Sequence, residues 1–334
     1  NTPYYDSQFI LDNISIDSGI ENSIIGLMNK ICVSYNLIII YEDKMYIVRD
    51  RKGIRPLSIM ENDHGWFISS ETVAFDSNKN ENEITDCGVY REVLSGEIIE
   101  ISCSGLKTIY RHPGALEGLC VFEILYFMDP MSMLNRKRIS YYREMLGKIL
   151  ANKEYIVDKL KNEYVVVGIP NSGICAAESF AVEMGISYEP LITKNPDYHG
   201  RTFILPSNEK RREACKKKFL YSDKLKGRNI ILVDDTIVRG NVIRSIIHNL
   251  REHGAREIHV RIPSPPIINR CQLGIAIKEK HALLMFNRTI QEATTFLGID
   301  TLNFLSNEDL NKMIPVNSYR EYFLEEDTEF EIFF

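Results

Sequence analysis

The sequence predicts an α/β protein built in two parts, an antiparallel front part and a parallel sheet behind it. Before residue 115, short apolar runs alternate with turn residues such as Asn62-Asp63, Asn78–Asn82 and Ser104-Gly105, which is typical of antiparallel strands. After residue 115, apolar strands alternate with helical segments, which is typical of a parallel sheet with both faces covered. The 334 residues are enough for two domains.

The bounds of the individual helices and strands are predicted from the spacing of apolar residues and from the turn residues between them. Residues 6–30 carry helical spacing, and the front strands are predicted at Cys32–Tyr41, Lys44–Val48, Gly65–Ser69 and Glu97–Ser102. In the rear part, helices are predicted at Tyr142–Lys161, Cys175–Met184 and Val242–His253. The rear strands are predicted at Tyr164–Ile169, Tyr188–Thr193, Asn229–Val233 and Glu257–Ile262. From Arg320 onward six acids oppose one Arg, which predicts a solvated tail.

The composition excludes several classes of protein. With 44% hydrophobic and 26% charged residues, the whole chain is neither disordered nor a small disulfide scaffold. A net charge of −6 argues against nucleic-acid binding. The apolar runs Leu37–Ile40 and Val165–Val167 are far too short to span a bilayer, and no signal peptide opens the chain. Seven scattered cysteines without a C-x-x-C pair predict reduced thiols and a cytoplasmic location.

The strongest chemical signal is the segment Ile230–Gly240, in which an apolar strand ends in Asp234 and Asp235 and a glycine-containing loop leads into a helix. In open parallel sheets, ligands bind at the carboxyl ends of strands. The loop can offer backbone N–H groups to a phosphate, and the acids can hold sugar hydroxyls or Mg²⁺. This combination fits a sugar phosphate. The alternative is that the two acids only cap a helix and mark a turn.

Two further segments fit the same ligand. Ser207–Arg228 holds nine Lys/Arg residues against three acids, which fits a cover over a polyphosphate or, alternatively, a solvated helix face. Ile169–Gly173 combines a strand end with small residues and a helix start, which suits oxygen ligands or a second phosphate contact. The alternative for this segment is an ordinary strand-to-helix turn.

Residues along most of the chain resemble one family. Val233–Gly240 resembles the phosphoribosyl-pyrophosphate loop of type I phosphoribosyltransferases, and its Ile-Val-Arg-Gly ending resembles the amidophosphoribosyltransferases. Further similarities to that family occur in order along the sequence: Arg49-Asp50 with Gly53–Leu57, Ser70-Glu71 with Ala74, Cys120–Glu123 with Tyr126-Phe127, Lys194-Asn195 with Gly200–Ile204, and Ser264–Ile267 with Cys271. Ordered similarities at so many places are specific, although each one alone is not.

The resemblance implies a fold and its boundaries. Residues 1–115 are expected to be the rear half of an N-terminal-nucleophile (αββα) glutaminase domain. Residues 116–310 are expected to form a type I phosphoribosyltransferase domain with a parallel sheet, and residues 311–334 a C-terminal helix and acidic tail. The resemblance also implies an enzyme that forms 5-phosphoribosylamine and pyrophosphate from phosphoribosyl pyrophosphate and glutamine-derived ammonia, the first step of purine biosynthesis. A homo-oligomer with purine nucleotides as feedback inhibitors is implied as well.

The resemblance also assigns residues. Mg²⁺ is expected at Ser172, Asp234 and Asp235. The residues expected to bind the 5′-phosphate are Thr236, Ile237, Val238, Arg239, Gly240, Asn241 and Val242. Those expected to close over the pyrophosphate are Lys194, Arg201, Lys216 and Lys218. Metal, Lys and Arg would stabilise the departing charge as pyrophosphate leaves.

The sequence departs from the family pattern in its glutaminase part. The family nucleophile is an N-terminal cysteine, whereas residue 1 is Asn and none of the seven cysteines lies near the start. Asp6 resembles an aspartate that helps to hold glutamine. We therefore expect no glutaminase nucleophile in this chain and activity with ammonia at best.

Other departures concern the transferase part. Asn241 and Val242 replace two threonines, and Asn171 and Ala276 stand where the family has acids. Cys120 and Cys271 occupy two of four cysteine positions that hold an iron–sulfur cluster in one branch of the family. Since no cysteine follows Cys271, we expect no intact [4Fe–4S] cluster, and both residues can equally be buried thiols.

These departures keep a second hypothesis open, a catalytically degenerate family member that binds phosphoribosyl pyrophosphate or a purine nucleotide in a regulatory role. A third, a plain nucleobase phosphoribosyltransferase, is disfavoured because such an enzyme has no use for the glutaminase remnant.

Overall fold

The computed structural model of the chain describes residues 6–17, 19–76, 89–154, 163–198, 217–271, 277 and 279–314. Among these residues, no helix combines the length and apolar character that a membrane crossing requires.

The front part contains two antiparallel sheets. The larger one has the strand order β1-β2-β6-β7, and the smaller one has the order β4-β3-β5. Their strands are β1 (Asn36–Tyr41), β2 (Lys44–Arg49), β3 (Ser58–Asn62), β4 (Gly65–Ser69), β5 (Val89–Glu92), β6 (Glu97–Ser102) and β7 (Gly105–Arg111). The helices of this part are α1 (Asp6–Asp12), α2 (Ile20–Lys30) and α3 (Val73–Asp76).

Alternation of side chains along the front strands produces a layered arrangement. One face of the larger sheet packs against Ile24 and Met28 of α2 through Tyr46, Val48 and Ile98. The opposite face packs against the smaller sheet through Ile47, Ile59, Ile99 and Ile101. Because successive strand residues point to opposite faces, the central strands are buried on both sides. The result is a helix–sheet–sheet stack, as the αββα prediction requires for its first three layers.

The rear part contains a five-stranded parallel sheet with the order β11-β10-β14-β15-β16. A short antiparallel ladder β12-β13 and a hairpin β8-β9 accompany it. The strands are β8 (Met133–Leu134), β9 (Lys137–Arg138), β10 (Tyr164–Gly168), β11 (Ser187–Tyr188), β12 (Ile192–Lys194), β13 (Phe219–Tyr221), β14 (Asn229–Val233), β15 (Glu257–Ile262) and β16 (Thr301–Phe304).

Helices cover both faces of this sheet. The α-helices are α4 (Ile139–Ala151), α5 (Ile174–Met184), α6 (Asn241–Glu252), α7 (Ile290–Leu297) and α8 (Asn307–Asn311). A π-helix spans Glu123–Phe127, and short 3₁₀ turns occur at Asp223–Leu225 and Lys280–Ala282. Helices α4 and α5 share one core with Val166, Ile231 and Val233, whereas α6 and α7 pack on the other face of β14 and β15. The carboxyl ends of β10 and β14 therefore lie side by side at one edge.

Most predicted elements agree with this arrangement to within a few residues. The prediction of one extended segment at Tyr188–Thr193 is wrong, because the segment is divided between β11 and β12, which belong to different sheets. The helical spacing of residues 6–30 is divided between α1 and α2. Strands β4, β6, β14 and β15 have the predicted bounds, and β1 occupies the second half of the predicted run Cys32–Tyr41. The predicted helix ending at Lys161 is described as α4 up to Ala151, and residues 155–162 lie outside the described part. The predicted tail from residue 315 onward also lies outside it. The domain boundaries at residues 115 and 310 stay predictions.

A buried carboxylate links α8 to the residues after α4. Asp309 accepts hydrogen bonds from Lys153 Nζ at 2.5 Å, Lys312 Nζ at 2.9 Å and Ser306 Oγ at 2.7 Å. Burial alone would raise the pKa of Asp309, but these hydrogen bonds outweigh it and hold the pKa well below its usual range. The ionised form is thus favoured in the folded state.

We expect Asp309→Asn to remove an acid-sensitive part of the stability. A carboxyl whose pKa is depressed by folding stabilises the fold above its unfolded pKa and loses that contribution as pH falls toward its folded pKa. Below about pH 4 the wild type should therefore lose free energy of unfolding more steeply than the variant. Urea denaturation of both proteins between pH 2 and pH 7 measures this; parallel curves would contradict it.

Candidate functional site

The site is built where β10 and β14 end. The backbone N–H of Ile169, just after β10, donates to the carbonyl of Val233, the last residue of β14, at 2.9 Å. The chain then turns through Ser172 and Gly173 into α5, while β14 continues into Asp234 and Asp235. The peptide bond between Pro170 and Asn171 is cis. Two strand-to-helix turns therefore face each other at one edge of the sheet.

Gly173 allows the two turns to approach closely. A Cβ atom at this position would lie 2.6 Å from the carbonyl oxygen of Val233 and 3.1 Å from Cα of Asp234. Both neighbours are backbone atoms of a buried strand end, so they cannot move aside as a flexible side chain would. A side chain at residue 173 would separate the Ser172 turn from Asp234.

We expect Gly173→Ala to destabilise the protein by about 1–3 kcal/mol, the usual cost of overpacking. Gly26 is the matched control because nothing lies within 4 Å of a Cβ placed there, inside α2. Gly26→Ala should stabilise the protein by about 0.5–1 kcal/mol through helix propensity. Chemical denaturation of both variants measures the difference, and equal effects would contradict the close approach.

The two aspartates form one hydrogen-bonded unit. The backbone N–H of Asp235 donates to Asp234 Oδ1 at 3.0 Å, and Thr236 Oγ1 donates to Asp235 Oδ1 at 2.6 Å. The Ser172 hydroxyl, from the facing turn, also donates to the Asp235 carboxylate. Ser172, Asp234 and Asp235, which the resemblance groups around Mg²⁺, therefore lie together.

The aspartate pair concentrates negative charge in a place poor in water. Burial raises the pKa of Asp234 well above its usual range, and the neighbouring Asp235 charge raises it further. Burial also raises the pKa of Asp235. Two cations act against these increases: the charge of Lys218 lowers the pKa of Asp234, and the charge of Arg143 lowers the pKa of Asp235. Two close carboxylates of this kind are most stable when a cation joins them.

The donor set fits Mg²⁺. Magnesium prefers oxygen ligands and is commonly held by one or two carboxylates, with water and substrate phosphates completing its shell. The Asp234 and Asp235 carboxylates and the Ser172 hydroxyl are such ligands. Throughout the described ranges, no group of three or more His, Cys, Asp and Glu side chains converges as a closed metal cage. A two-carboxylate site whose shell is completed by water and substrate phosphate agrees with both observations.

The loop after the aspartates is fixed to the core at its first residues and exposed where it enters α6. Ile237 is buried, and the carbonyl of Val238 accepts from the N–H of Leu284 at 2.8 Å. Gly240 has a φ of +79°, a left-handed conformation that suits glycine, and α6 begins at Asn241. The first N–H groups of a helix have no partner within it, so this turn can bind a phosphate. Asn241 and Val242 are exposed on this first turn.

The predicted cationic cover is only partly described. Lys194 ends β12 and lies opposite Phe219 of β13, and Lys218 directly precedes that residue. The Lys218 ammonium lies 5.1 Å from the centroid of the Phe219 ring. Arg239, on the loop itself, is exposed. Arg201, Lys216 and Ala276 lie outside the described residues, as does Ser207–Arg228 before residue 217.

The remaining predicted residues are the candidate glutamine-binding residue Asp6 and the candidate cluster ligands Cys120 and Cys271. Asp6 is the first residue of α1, and its side chain is outside the described part. Cys120 is buried and Cys271 is half-buried, and the charge of each would act on Arg55. The expectation that no intact [4Fe–4S] cluster forms stays a prediction.

Two residues near the site were not predicted from the sequence. Arg143 is buried on α4, donates to the carbonyls of Ile124 and Met128 at 2.8 and 2.7 Å, and acts electrostatically on Asp235. Tyr126, on the π-helix, is half exposed, and its pKa is raised by burial and by the charges of Asp235 and Asp234. Apolar spacing carries no signal for either role, because both depend on contacts distant in sequence.

Comparisons with known proteins agree with this geometry. No family model matches the chain. The amidophosphoribosyltransferase of Methanothermobacter thermautotrophicus is 35% identical over 295 residues, which cover 88% of this chain and 60% of that protein. The human amidophosphoribosyltransferase is 37% identical over 304 residues, which cover 85% of this chain and 56% of that protein. The chain thus spans somewhat more than half the length of these curated relatives.

A solved structure shows the same fold. The glutamine phosphoribosylpyrophosphate amidotransferase of Bacillus subtilis, complexed with ADP and GMP, superimposes with a TM-score of 0.80 at 33% sequence identity. The match covers 93% of this chain and 66% of that one. It confirms the predicted fold class, a partial glutaminase-type front part followed by a type I phosphoribosyltransferase part with a parallel sheet. The chain belongs to the amidophosphoribosyltransferase family.

Proposed function

We propose that this chain carries the transferase site of an amidophosphoribosyltransferase. The site would form 5-phosphoribosylamine and pyrophosphate from phosphoribosyl pyrophosphate and ammonia, the first step of purine biosynthesis. The observation that supports this most is the unit of Asp234, Asp235 and Ser172 beside the glycine turn that opens α6. One edge of the sheet thus offers carboxylates for a sugar or a metal and N–H groups for a phosphate.

The proposed substrate would bind this edge with its 5′-phosphate at α6 and its pyrophosphate at the facing turn. The 5′-phosphate would bind the first turn of α6, where free N–H groups and the helix dipole favour an anion. The ribose would then lie over Asp234 and Asp235, and the pyrophosphate would point toward Ser172 and the cations Lys194 and Lys218. Mg²⁺, when bound at the carboxylates, would supply positive charge to the departing pyrophosphate.

The reaction is a displacement at the anomeric carbon. The nitrogen lone pair of ammonia forms a bond to C1 of the ribose, the bond from C1 to the pyrophosphate oxygen breaks, and the nitrogen loses one proton to water. Positive charge develops on the sugar while negative charge leaves with pyrophosphate. The charge of Lys218 lowers the pKa of Asp234, which supports Lys218 as a cation that would stabilise the leaving group.

Partners follow from the same proposal. The whole protein would supply ammonia from glutamine, and the front part described here would belong to that glutaminase. Since the Bacillus subtilis relative is complexed with ADP and GMP, we include purine nucleotides as feedback ligands. A homo-oligomer remains part of this proposal.

Calorimetric titration tests the binding part. Phosphoribosyl pyrophosphate should bind the 334-residue chain in the presence of Mg²⁺ and much more weakly in EDTA. Ribose 5-phosphate, which lacks the pyrophosphate, is the matched control ligand and should lose most of the magnesium dependence. Equal affinity with and without Mg²⁺ would contradict the assignment of the carboxylates.

A second candidate function is binding without turnover. Val242 is 41% exposed on the first turn of α6, where its side chain can donate no hydrogen bond to a phosphate. A regulatory protein could keep the backbone contacts and lose catalysis. Tight binding of phosphoribosyl pyrophosphate without pyrophosphate release would favour this candidate, and Val242→Thr would then be the first variant to test for restored turnover.

A further inference from the structure

The π-helix Glu123–Phe127 lies between the two parts of the chain and is held at both ends. The N–H of Cys120, just before it, donates to the carbonyl of Ile54 in the front part at 2.9 Å. From α4, Arg143 donates to the carbonyl of Ile124 near the start of the π-helix and to that of Met128 just after its end. π-Helical turns are rare and occur frequently at functional sites. This one is fixed by contacts from both domains.

The main contact from the front part is the side chain of Arg55. Its guanidinium forms an ion pair with Glu123, whose side chain is only 6% exposed. The same guanidinium lies over the ring of Phe127, with 4.8 Å between Cζ and the ring centroid. Arg55 thus contacts the first and the last residue of the π-helix. The planar guanidinium of Arg can pair with a carboxylate and stack on an aromatic ring at the same time. The ammonium group of Lys is not planar and combines these two contacts poorly.

The residues between these contacts include part of the core under the transferase site. Ile124 and Leu125 pack in the same core as Val233, the residue before Asp234. Burial raises the pKa of Tyr126, and the charges of Asp235 and Asp234 raise it further. A shift of the π-helix would therefore move Tyr126 relative to the aspartates.

We propose that Arg55 and Glu123 are positioning residues for the transferase site. They hold the π-helix, which packs in the same core as Val233 at the end of β14, and thereby keep Tyr126 near Asp234 and Asp235. This inference rests on the proposed function for its kinetic consequence. Its structural part, that a front-domain arginine fixes the π-helix, does not depend on any substrate.

The first arm of the test measures hydrogen exchange in the 334-residue chain. Arg55→Lys keeps the charge but loses the stacking on Phe127, and Glu123→Gln keeps the shape but loses the charge. Both should accelerate amide exchange in residues 123–133. The matched control is the pair Arg91–Glu97, whose Glu97 side chain is 3% exposed and which belongs to the front part. Arg91→Lys and Glu97→Gln should leave exchange in residues 123–133 unchanged.

The second arm measures pyrophosphate release with ammonium. In this proposal Tyr126 contributes to binding of the substrate in the ground state. Arg55→Lys should therefore raise KM for phosphoribosyl pyrophosphate by about three- to tenfold, which corresponds to the loss of one hydrogen bond. The value of kcat should stay within about twofold of the wild type. In a Tyr126→Phe background, Arg55→Lys should raise KM no further, because the two act as one unit. The Arg91→Lys control should keep the wild-type KM.

The outcomes separate this inference from the proposed function. A wild type without pyrophosphate release would refute the proposed function, and the exchange arm would still decide whether Arg55 fixes the π-helix. Unchanged exchange in Arg55→Lys and Glu123→Gln overturns the inference. Accelerated exchange with an unchanged KM in an active enzyme, or a KM effect that is additive with Tyr126→Phe, overturns it as well, because the contact would then be structural only.

Discussion

Asp234→Asn and Asp235→Asn should each lower kcat/KM for phosphoribosyl pyrophosphate by about 100-fold or more, which is the usual cost of removing a group that stabilises charge in a transition state. Each variant removes one of two carboxylates available to a cation at the end of β14, while its amide keeps nearly the same shape. Initial rates of pyrophosphate release with saturating ammonium and Mg²⁺ measure the effect. Asp223→Asn, an exposed aspartate of the same part, is the control and should match the wild type.

The same substitutions should not weaken the fold. The two carboxylates repel each other in a buried place, so a neutral amide at either position removes an unfavourable interaction. In EDTA, the free energy of unfolding of both variants should equal or exceed that of the wild type, as is common when a functional residue is replaced. A variant that lost activity together with stability would show only that the strand end had been damaged.

The second large effect is expected at Arg261 on β15. Its guanidinium is paired with Glu154 through two hydrogen bonds, and it also donates to Thr301 Oγ1 and the carbonyl of Val260, both at 2.9 Å. The side chains of Arg261 and Glu154 are 3% and 2% exposed. Arg261→Met should destabilise the protein by about 3–5 kcal/mol, because it removes the cation that pairs with the buried Glu154 carboxylate.

The Arg261 experiment contains its own controls. The double variant Arg261→Met/Glu154→Met should recover much of the loss, since replacing both members of a buried pair by apolar groups is often neutral. Arg228→Met breaks the more exposed pair with Glu189 and should cost only about 0–1 kcal/mol. Urea denaturation of the four proteins measures these values. If Arg261→Met lowers the free energy of unfolding no more than Arg228→Met does, the buried pair contributes no more to stability than the exposed pair.

The sequence is most informative where one physical rule decides the structure. Strand β14 is buried along its whole length, so its apolar residues Ile230–Val233 indicate almost the whole strand directly. The position of Asp234 and Asp235 at a ligand-binding edge follows from that strand and the parallel sheet. Asn241 and Val242 are likewise placed by the glycine that precedes α6. The centre of the candidate site could therefore be predicted without a structure.

The parts that were missed depend on contacts between distant residues. The π-helix has no apolar periodicity of its own, and Arg143 resembles an ordinary surface cation on the amphipathic helix α4 although it is buried. Tyr126 likewise carries no sequence signal, because its electrostatic interaction with the aspartates joins residues that are distant in sequence. Helix α7 was missed as well, although its start has a local sequence signal, because Thr289 and Glu292 form a capping box.

Ammonium-dependent release of pyrophosphate tests the central claim most directly. Purified chain, Mg²⁺ and phosphoribosyl pyrophosphate should release pyrophosphate when ammonium is added, in proportion to the protein present, and the release should stop in EDTA and in Asp234→Asn. No release from a folded wild type that binds phosphoribosyl pyrophosphate with Mg²⁺ would contradict transfer and favour the binding function. No release and no binding would contradict the assignment of this site altogether.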